Sequence, residues 1–236
     1  MADEEEVVLI SYWASMFGAR LKVALSEKQI PYKYIEEDLP YKTQFLLQMN
    51  PVFKKIPVLV HNGKPVNESL IALQYIDDVW KDKGASFMPS DPYLRSQARF
   101  WAYFIDLKIY HLAARVWRQK GNMEEQELDK KELIHSLKLL EQVLGDDPFF
   151  GGKTFGFLDI AFIGYSSWFS TYETYGKFSM ESECPKLVSW VDRCMKRESV
   201  ANSVHRSIDV LKYIRMIMRV YGPNKGIAKV IHTSKI

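Results

Sequence analysis

The sequence contains little cysteine. Cys184 and Cys194 are the only two in 236 residues, and neither belongs to a CxxC pair or lies near paired histidines. This usage disfavours both a disulfide framework and a structural zinc site. We interpret the two thiols as packing residues, because free cysteine is among the most buried residue types.

Charge imbalance and long apolar runs are also missing. The chain carries 32 basic and 29 acidic residues, a formal charge of +3, whereas a nucleic-acid partner would require a concentrated basic surface. No apolar run approaches the roughly 20 residues of a membrane-spanning helix. The chain opens with MADEEEVVL, the reverse of the basic start of a secretory signal, so we expect a cytosolic protein without a nucleic-acid partner or membrane span.

The first third of the chain alternates strand and helix patterns. Residues 7–12 are apolar and rich in β-formers, which indicates a buried strand. Between residues 17 and 28, Leu21, Ala24 and Leu25 recur at helical spacing. A second strand is predicted within residues 30–37.

A short helix, a hairpin and a further helix follow. The helix is predicted within residues 43–51, and the hairpin covers residues 56–67 with Asn62-Gly63 as its type I′ turn. The next helix, residues 68–80, is predicted to share one apolar face among Leu70, Leu73, Ile76 and Val79.

The order βαβ, α, ββα within about 80 residues is typical of a thioredoxin-like α/β domain. We assign residues 1–82 to it, residues 83–95 to a linker, and residues 96–222 to an all-α domain without repeats. The basic tail, residues 223–236, is expected to be flexible.

Ser15 lies in "ISYWASMFGARLKVAL", between the first strand and the first helix. In a thioredoxin-like fold this turn holds the reactive group, at a helix N-terminus that favours negative charge. Redox members of the fold place a cysteine there. A serine cannot cycle through disulfides, but it can donate a hydrogen bond to another molecule's thiolate. Its alternative role is that of an ordinary helix cap.

Pro57 opens a predicted strand directly after Ile56. Proline has no amide to donate, and an X-Pro bond can be cis at modest cost. The backbone of Ile56 can therefore face outward and accept a peptide as an extra strand.

Several segments together resemble the plant tau-class glutathione transferases: "YWASMFGARLKVAL", "LLQMNPVFKKIPVLVHNGKPVNESL", "QYIDDVW" and "FGFLDIAF". The resemblance runs from about Val7 to Gly222. It implies a glutathione-binding thioredoxin-like domain, an all-helical domain with an electrophile pocket, and a cytosolic homodimer acting in detoxification. Glutathione would be the cosubstrate, with no tightly bound cofactor and no metal.

The resemblance also implies roles for individual residues. Ser15 would stabilise the glutathione thiolate. The tripeptide itself would be bound as follows: the γ-glutamyl ammonium by Glu68, its carboxylate by Ser69, the cysteinyl backbone by Ile56, and the glycyl carboxylate by Lys42 and Lys55.

Met16 departs from the family pattern as we interpret it, because proline usually follows the catalytic serine. Losing a proline raises conformational freedom, and methionine adds an adaptable side chain. We therefore expect a functional but altered pocket.

The electrophile pocket is expected to be apolar and aromatic. Tyr110 and Trp117 are seven residues apart and share a helix face. By resemblance that face borders the pocket, which alanines 113 and 114 would make roomier. The implied lining residues are Met16, Phe17, Tyr110, Trp117, Trp168, Tyr213 and Ile217. The alternative is that these aromatics belong to the core.

Asp159 lies in "TFGFLD", which resembles the motif before the family's buried helix. Relatives often have Ser or Thr three residues earlier, where this chain has Gly156. We expect Asp159 to be structural, near a buried helix N-terminus.

Three functions remain open. The first is conjugation of glutathione to hydrophobic electrophiles, or reduction of organic hydroperoxides with it. The second is carriage of apolar or anionic compounds with little turnover. The third, thiol-disulfide exchange or dehydroascorbate reduction, is disfavoured because those reactions use a cysteine where Ser15 stands.

Overall fold

The computed structural model describes residues 5–118 and 122–230, the last ten of them by backbone only. The chain divides into two compact units. The first comprises the chain up to Ser86 together with the segment from Ile214 onward, and the second comprises Phe87–Tyr213.

The first unit is a four-stranded mixed sheet with helices, in the order that the sequence predicts. Its elements are β1 (Val7–Ser11), α1 (Met16–Glu27), β2 (Lys33–Glu36), α2 (Gln44–Met49), β3 (Val58–His61), β4 (Lys64–Asn67) and α3 (Ser69–Val79). The strand order is β2-β1-β3-β4. Strand β1 runs parallel to β2 and antiparallel to β3, which pairs antiparallel with β4. The predicted thioredoxin-like arrangement is confirmed.

Apolar alternation builds the core on the sheet. One cluster contains Val8, Ile10, Leu46, Val58 and Val60. The three α1 residues that the periodicity singles out, at positions 21, 24 and 25, have no exposed surface. The hydrophobic pattern therefore predicts this side of the fold correctly.

The hairpin turn is also confirmed. Asn62 and Gly63 have φ angles of 48° and 75°, the two positive values that a type I′ turn requires. The Ile56-Pro57 bond is cis.

The predicted face of α3 needs a correction. Leu73 and Ile76 are fully buried, but Val79 is 41% exposed. The buried stripe instead includes Ala72 and then Trp80, just beyond the helix. Positions 72, 73, 76 and 80 follow the 3.6-residue period more closely than a strict three-residue spacing does.

A buried ion pair joins the residue that follows α1 to α3 and to the segment after α3. Lys28 Nζ lies 3.0 Å from Asp77 Oδ1 and donates to the Ala85 carbonyl at 3.0 Å, while Ser86 Oγ donates to Asp77 Oδ2 at 3.1 Å. The start of the predicted linker is thus anchored by charge-assisted hydrogen bonds, a feature that the sequence pattern does not indicate.

The second unit is helical. Its elements are α4 (Pro92–Phe104), a π-helical turn (Ile105–Ile109), α5 (Tyr110–Arg118), α6 (Met123–Leu144), α7 (Phe157–Ile163), a 3₁₀ turn (Gly164–Trp168), α8 (Phe169–Gly176), α9 (Met180–Glu183), α10 (Pro185–Met195) and α11 (Glu198–Ala201), and α12 (Ser207–Val230) begins in it. Apart from two isolated bridges within residues 149–154, its described residues form no β-structure. The predicted all-α second part is confirmed.

Two boundaries differ from the sequence prediction. Helix α4 begins at Pro92, inside the predicted linker, because Asp91 accepts from the Leu94 N–H at 2.8 Å and proline suits the first helical position. Helix α12 continues to Val230, so residues 223–230 of the predicted flexible tail are helical, since extending an existing helix is far easier than starting one. The remaining tail, 231–236, lies outside the described residues.

Both cysteines are buried and unpaired with each other, as predicted. Burial raises the pKa of the Cys184 thiol to about 12, and that of Cys194 further. Such thiols are unreactive packing groups. Within the described part of the chain, no helix could span a membrane and no cluster of acidic, histidine or cysteine side chains could hold a metal ion.

Candidate active site

Ser15 is the cap of α1. Its Oγ accepts a hydrogen bond from the Gly18 N–H at 3.0 Å, and its own N–H donates to the Tyr12 carbonyl at 3.0 Å. A hydroxyl can donate one hydrogen bond as well as accept, and among the described residues the Ser15 O–H has no acceptor. The cap uses the oxygen's lone pair and leaves the O–H able to donate, so capping and binding of an anion are compatible.

Gly18 makes this geometry possible. A Cβ at this position would lie 2.0 Å from Ser11 Oγ and 3.3 Å from the Ser15 Cβ. Any larger residue there would force the Ser11 side chain to shift. The first turn of α1 therefore packs directly against the end of β1 and the cap.

Strand register brings the other predicted residues to the same end of the sheet. Ile10 pairs with Val58, and Val58 pairs with Asn67. The chain continues from β1 to Ser15, it enters β3 from Ile56, and it leaves β4 directly into Glu68. The predicted glutathione-binding residues of these three segments thus converge at one edge.

The start of α3 combines an unusual backbone with a buried hydroxyl. Glu68 is exposed and has a left-handed φ of 67°, and such outliers often mark functional sites. Ser69, the first residue of α3, is buried and accepts a hydrogen bond from Arg20 Nη1 at 2.8 Å.

The sequence reasoning did not single out Arg20. This arginine is fully buried on α1, with its guanidinium 5.1 Å from the Phe17 ring centroid. It links α1 to the start of α3 through Ser69. The available signal was its place beside Leu21 and Ala24, on the helix face that the periodicity predicts to be buried.

Lysines form the basic side of this region. Lys42 Nζ donates to the Lys54 carbonyl. Burial lowers the pKa of Lys42, and the nearby charges of Lys54 and Lys55 lower it further. The Lys55 carbonyl accepts from Asn50 Nδ2 at 3.0 Å. Clustered ammonium groups of this kind attract a carboxylate, and Lys54 joins the two predicted lysines.

Ile56 is half-buried and precedes the buried, cis-bonded Pro57. The pairing of β3 begins at Val58. The peptide groups of Ile56 therefore lie outside that ladder, at the edge where a peptide backbone could pair.

The predicted pocket residues fall in both units, and each group is described by itself. In the first unit, Met16 is the first residue of α1 and is buried, Phe17 is half-buried, and Ile217 on α12 is buried.

In the second unit the structure brings Trp117 and Trp168 together. Their ring centroids are 5.5 Å apart, and Trp168 stacks on Tyr172 at 6.5 Å. Trp117 is 2% and Trp168 4% exposed, as expected for packed core aromatics. Tyr110 and Tyr213 are only half-buried. Burial raises the pKa of Tyr110, so its phenol is protonated at neutral pH.

Asp159 is fully buried at the third position of α7. One carboxylate oxygen accepts from the Gly156 N–H at 2.9 Å, and the other accepts from the Phe150 N–H at 3.0 Å and Trp190 Nε1 at 2.8 Å. Burial raises its pKa to about 6, while these hydrogen bonds oppose the shift. These hydrogen bonds, from two backbone N–H groups and one indole, fit the structural role that the sequence predicts for Asp159.

Comparison with protein-family models gives two matches. Residues 5–78 match the glutathione S-transferase N-terminal domain, and residues 123–193 match the glutathione S-transferase C-terminal domain. The two matches fall in the α/β and helical parts of the chain respectively.

Similar proteins of known sequence are plant enzymes. The chain is 57% identical over 218 residues to the probable glutathione S-transferase parC of Nicotiana tabacum, covering 92% of this chain and 98% of that protein. It is 54% identical to glutathione S-transferase U19 of Arabidopsis thaliana, with the same coverage.

Solved structures agree. Rice GST1 in complex with glutathione matches with a TM-score of 0.86 at 40% identity, covering 94% of this chain and all of that one. The tau-class glutathione S-transferase of mango, Mangifera indica, matches with a TM-score of 0.83 at 36% identity, covering 89% and 98%.

Proposed function

Because this chain belongs to the tau class of the glutathione S-transferase family, we propose that its Ser15 activates the thiol of bound glutathione for attack on hydrophobic electrophiles. The protein is a glutathione transferase. The observation that carries the role of Ser15 is its hydroxyl, which caps α1 through its lone pair and whose O–H has no acceptor within the described part of the chain.

The thiolate is the reactive form of the cosubstrate. A hydrogen bond from Ser15 and the positive end of α1 both favour the charged sulfur, which lowers the thiol pKa and raises the nucleophilic fraction at neutral pH. In conjugation the sulfur forms a bond to the electrophilic carbon, and a leaving group such as chloride departs with its bonding electrons.

The rest of the glutathione molecule would bind around this edge. The lysines Lys42 and Lys55 attract the glycyl carboxylate, and the backbone of Ile56 pairs with the cysteinyl unit. Glu68 receives the γ-glutamyl ammonium, and Ser69 binds its carboxylate at the start of α3. The convergence of these segments in the strand register supports the assignment. The reaction calls for no tightly bound cofactor.

The second substrate would be an apolar electrophile or an organic hydroperoxide. Support comes from the half-buried aromatic side chains of Phe17, Tyr110 and Tyr213, which the family resemblance assigns to the pocket. A hydroperoxide would be reduced to its alcohol and water while two glutathione molecules are oxidised to the disulfide. A detoxifying role follows from this chemistry, and a cytosolic location, taken from the family resemblance, is part of the same proposal.

We also propose that the protein acts as a homodimer. Helix α4 and the π-helical turn expose Tyr93, Phe100, Tyr103 and Leu107, positions spaced to form one stripe along the helix. Large exposed apolar stripes typically mark interaction surfaces. Light scattering of the unsubstituted protein should give twice the mass of one chain. The double variant Phe100→Glu, Tyr103→Glu should give the mass of a single chain. A monomeric unsubstituted protein would contradict the proposal.

The test of the catalytic role is the initial rate of conjugation to a chloronitrobenzene. Ser15→Ala should lose about 100-fold in rate, while glutathione binding, measured by calorimetry, changes only a few-fold. Ser179→Ala is the matched control, because Ser179 also caps a helix, accepting from the Ser182 N–H at 3.3 Å, but lies in the second unit.

Two results would overturn the assignment. A Ser15→Ala variant that conjugates as fast as the unsubstituted enzyme would remove Ser15 from the chemistry. Tight glutathione binding with negligible conjugation in both proteins would favour the carrier function instead.

A further inference from the structure

A carboxylate on β2 holds the turn that carries Ser15. Glu36, the last residue of β2, accepts a hydrogen bond from the backbone N–H of Trp13 through Oε1 at 2.9 Å. Trp13 lies inside the turn that the Ser15 N–H closes onto the Tyr12 carbonyl. The bond therefore fixes the middle of the segment between β1 and the cap.

The second oxygen of this carboxylate is fixed as well. Tyr34, on the same strand, donates its phenol O–H to Glu36 Oε2. Burial raises the pKa of Tyr34, and its hydrogen bond to Glu36 raises it further, so the phenol is protonated and remains a donor. The Lys22 ammonium lies 4.3 Å from the Tyr34 ring centroid.

Backbone pairing sets where Glu36 can act. Ser11, the last residue of β1, is in register with Glu36 on β2. This places the carboxylate beside the first residues that leave β1, within reach of the Trp13 amide. Hydrogen bonds that a backbone N–H donates to a carboxylate are among the stronger ones in proteins. Here one oxygen of Glu36 accepts from Tyr34, while the other accepts from the Trp13 amide.

We propose that Glu36, oriented by Tyr34, is a positioning residue for catalysis, which holds the Trp13 amide so that the Ser15 hydroxyl is aimed at the glutathione sulfur. In this role Glu36 acts through the Trp13 amide and not by contact with a substrate. The inference rests on the proposed function of Ser15. Without this anchor the turn samples other positions, the O–H···S bond is formed less of the time, and the bound thiolate is less stabilised.

The experiment compares Glu36→Ala, Glu36→Gln and Tyr34→Phe for kcat, for KM of glutathione, and for the pH dependence of the rate at saturating glutathione. Glu36→Ala should lower kcat about tenfold, the loss expected for one charge-assisted hydrogen bond, and should move the midpoint of the pH–rate profile to higher pH. The KM of glutathione should change much less.

Glu36→Gln should restore most of the rate, because its amide oxygen still accepts from the Trp13 N–H. Tyr34→Phe should fall between Glu36→Ala and the unsubstituted enzyme, and it keeps the proposal testable if Glu36→Ala does not fold. Asp38→Ala is the matched control: this exposed acid lies two residues away, and its removal takes away the same charge without a bond to the turn.

A Glu36→Ala variant that unfolds at lower temperature but keeps the kcat and pH–rate midpoint of the unsubstituted enzyme would overturn the positioning role. Equal losses in Glu36→Gln and Glu36→Ala, or in Asp38→Ala, would overturn it too, because charge rather than hydrogen bonding would then matter. If Ser15→Ala abolishes conjugation while Glu36→Ala does not, this inference alone fails; if Ser15→Ala conjugates normally, the proposed function fails.

Discussion

Two helix N-termini in this molecule carry polar side chains that differ in their hydrogen bonding. At the start of α1, the half-buried Ser15 caps the helix with its oxygen, and its O–H has no acceptor in residues 5–118 and 122–230. At the start of α7, fully buried Asp159 accepts three hydrogen bonds from Gly156, Phe150 and Trp190. Both positions exploit the positive end of a helix.

The difference shows what separates a reactive helix terminus from a structural one. Both carboxylate oxygens of Asp159 accept hydrogen bonds from the protein itself, and these bonds hold residues 150, 156 and 190 together. Ser15 has an O–H with no acceptor among the residues that the structure describes. Spare hydrogen-bonding capacity at an accessible helix end, rather than residue type or helix position alone, marks the candidate for chemistry.

The largest expected effect on stability comes from removing the Asp159 carboxylate at the start of α7. Asp159→Ala would leave the buried N–H groups of Gly156 and Trp190 and the half-buried N–H of Phe150 without their acceptor. We expect the free energy of unfolding to fall by about 4 kcal/mol. Urea unfolding measures it. Asp159→Asn, which keeps one oxygen, should lose less. Near-native stability of the alanine variant would contradict the structural role of Asp159.

Gly18→Ala should disturb the reactive terminus instead. The added methyl meets Ser11 Oγ and crowds Ser15, so we expect about 1–3 kcal/mol of destabilisation together with a loss of conjugation beyond the loss of folded protein. Gly63→Ala, at a turn with open space around it, is a control for strain without contact with the cap. Equal specific activity in both variants would count against the packing argument.

The next effect is the pH dependence of stability that Asp159 contributes at the start of α7. The folded pKa of Asp159, about 6, lies above its ordinary value of 3.8, so between these values the folded chain binds more protons than the unfolded chain. Stability from this group therefore falls as pH rises from about 4 to 6.5, by about 2 kcal/mol. The free energy of unfolding of the unsubstituted chain minus that of Asp159→Asn, measured with denaturant at each pH, isolates this contribution. A difference that rises with pH would contradict the prediction.

The smallest effect is expected at Met16, the first residue of α1. Proline is compatible with the first helical position, so Met16→Pro should gain about 0.5–1 kcal/mol of stability and shift the relative rates of small and bulky electrophiles a few-fold. Met16→Leu controls for side-chain size. Unchanged turnover, selectivity and loop mobility in Met16→Pro would show that this position does not matter.

The sequence predicts those parts that depend on local pattern. Strand and helix order, the Asn62-Gly63 turn and the buried face of α1 follow from hydrophobic periodicity and turn chemistry, and the resemblance supplies candidate residues at the sheet edge. The structure corrects two predictions: Val79 is exposed and not buried, and α4 begins at Pro92, inside the predicted linker. Such details depend on individual packing and capping contacts, which a sequence pattern does not resolve.

Contacts distant in sequence were beyond prediction. Arg20 reaches Ser69 across 49 positions, and Lys28 pairs with Asp77 across a similar separation. Nor does any local motif indicate that Glu36 holds the Trp13 amide. These polar pairs form only once the sheet register is set.

The most direct test of the central claim is a titration of the glutathione thiol bound to the protein, followed by the ultraviolet absorbance of the thiolate. The account predicts that the bound thiol pKa lies well below that of free glutathione and rises towards the free value in Ser15→Ala, with glutathione still bound. An unchanged pKa in Ser15→Ala would contradict the claim that this hydroxyl stabilises the sulfur.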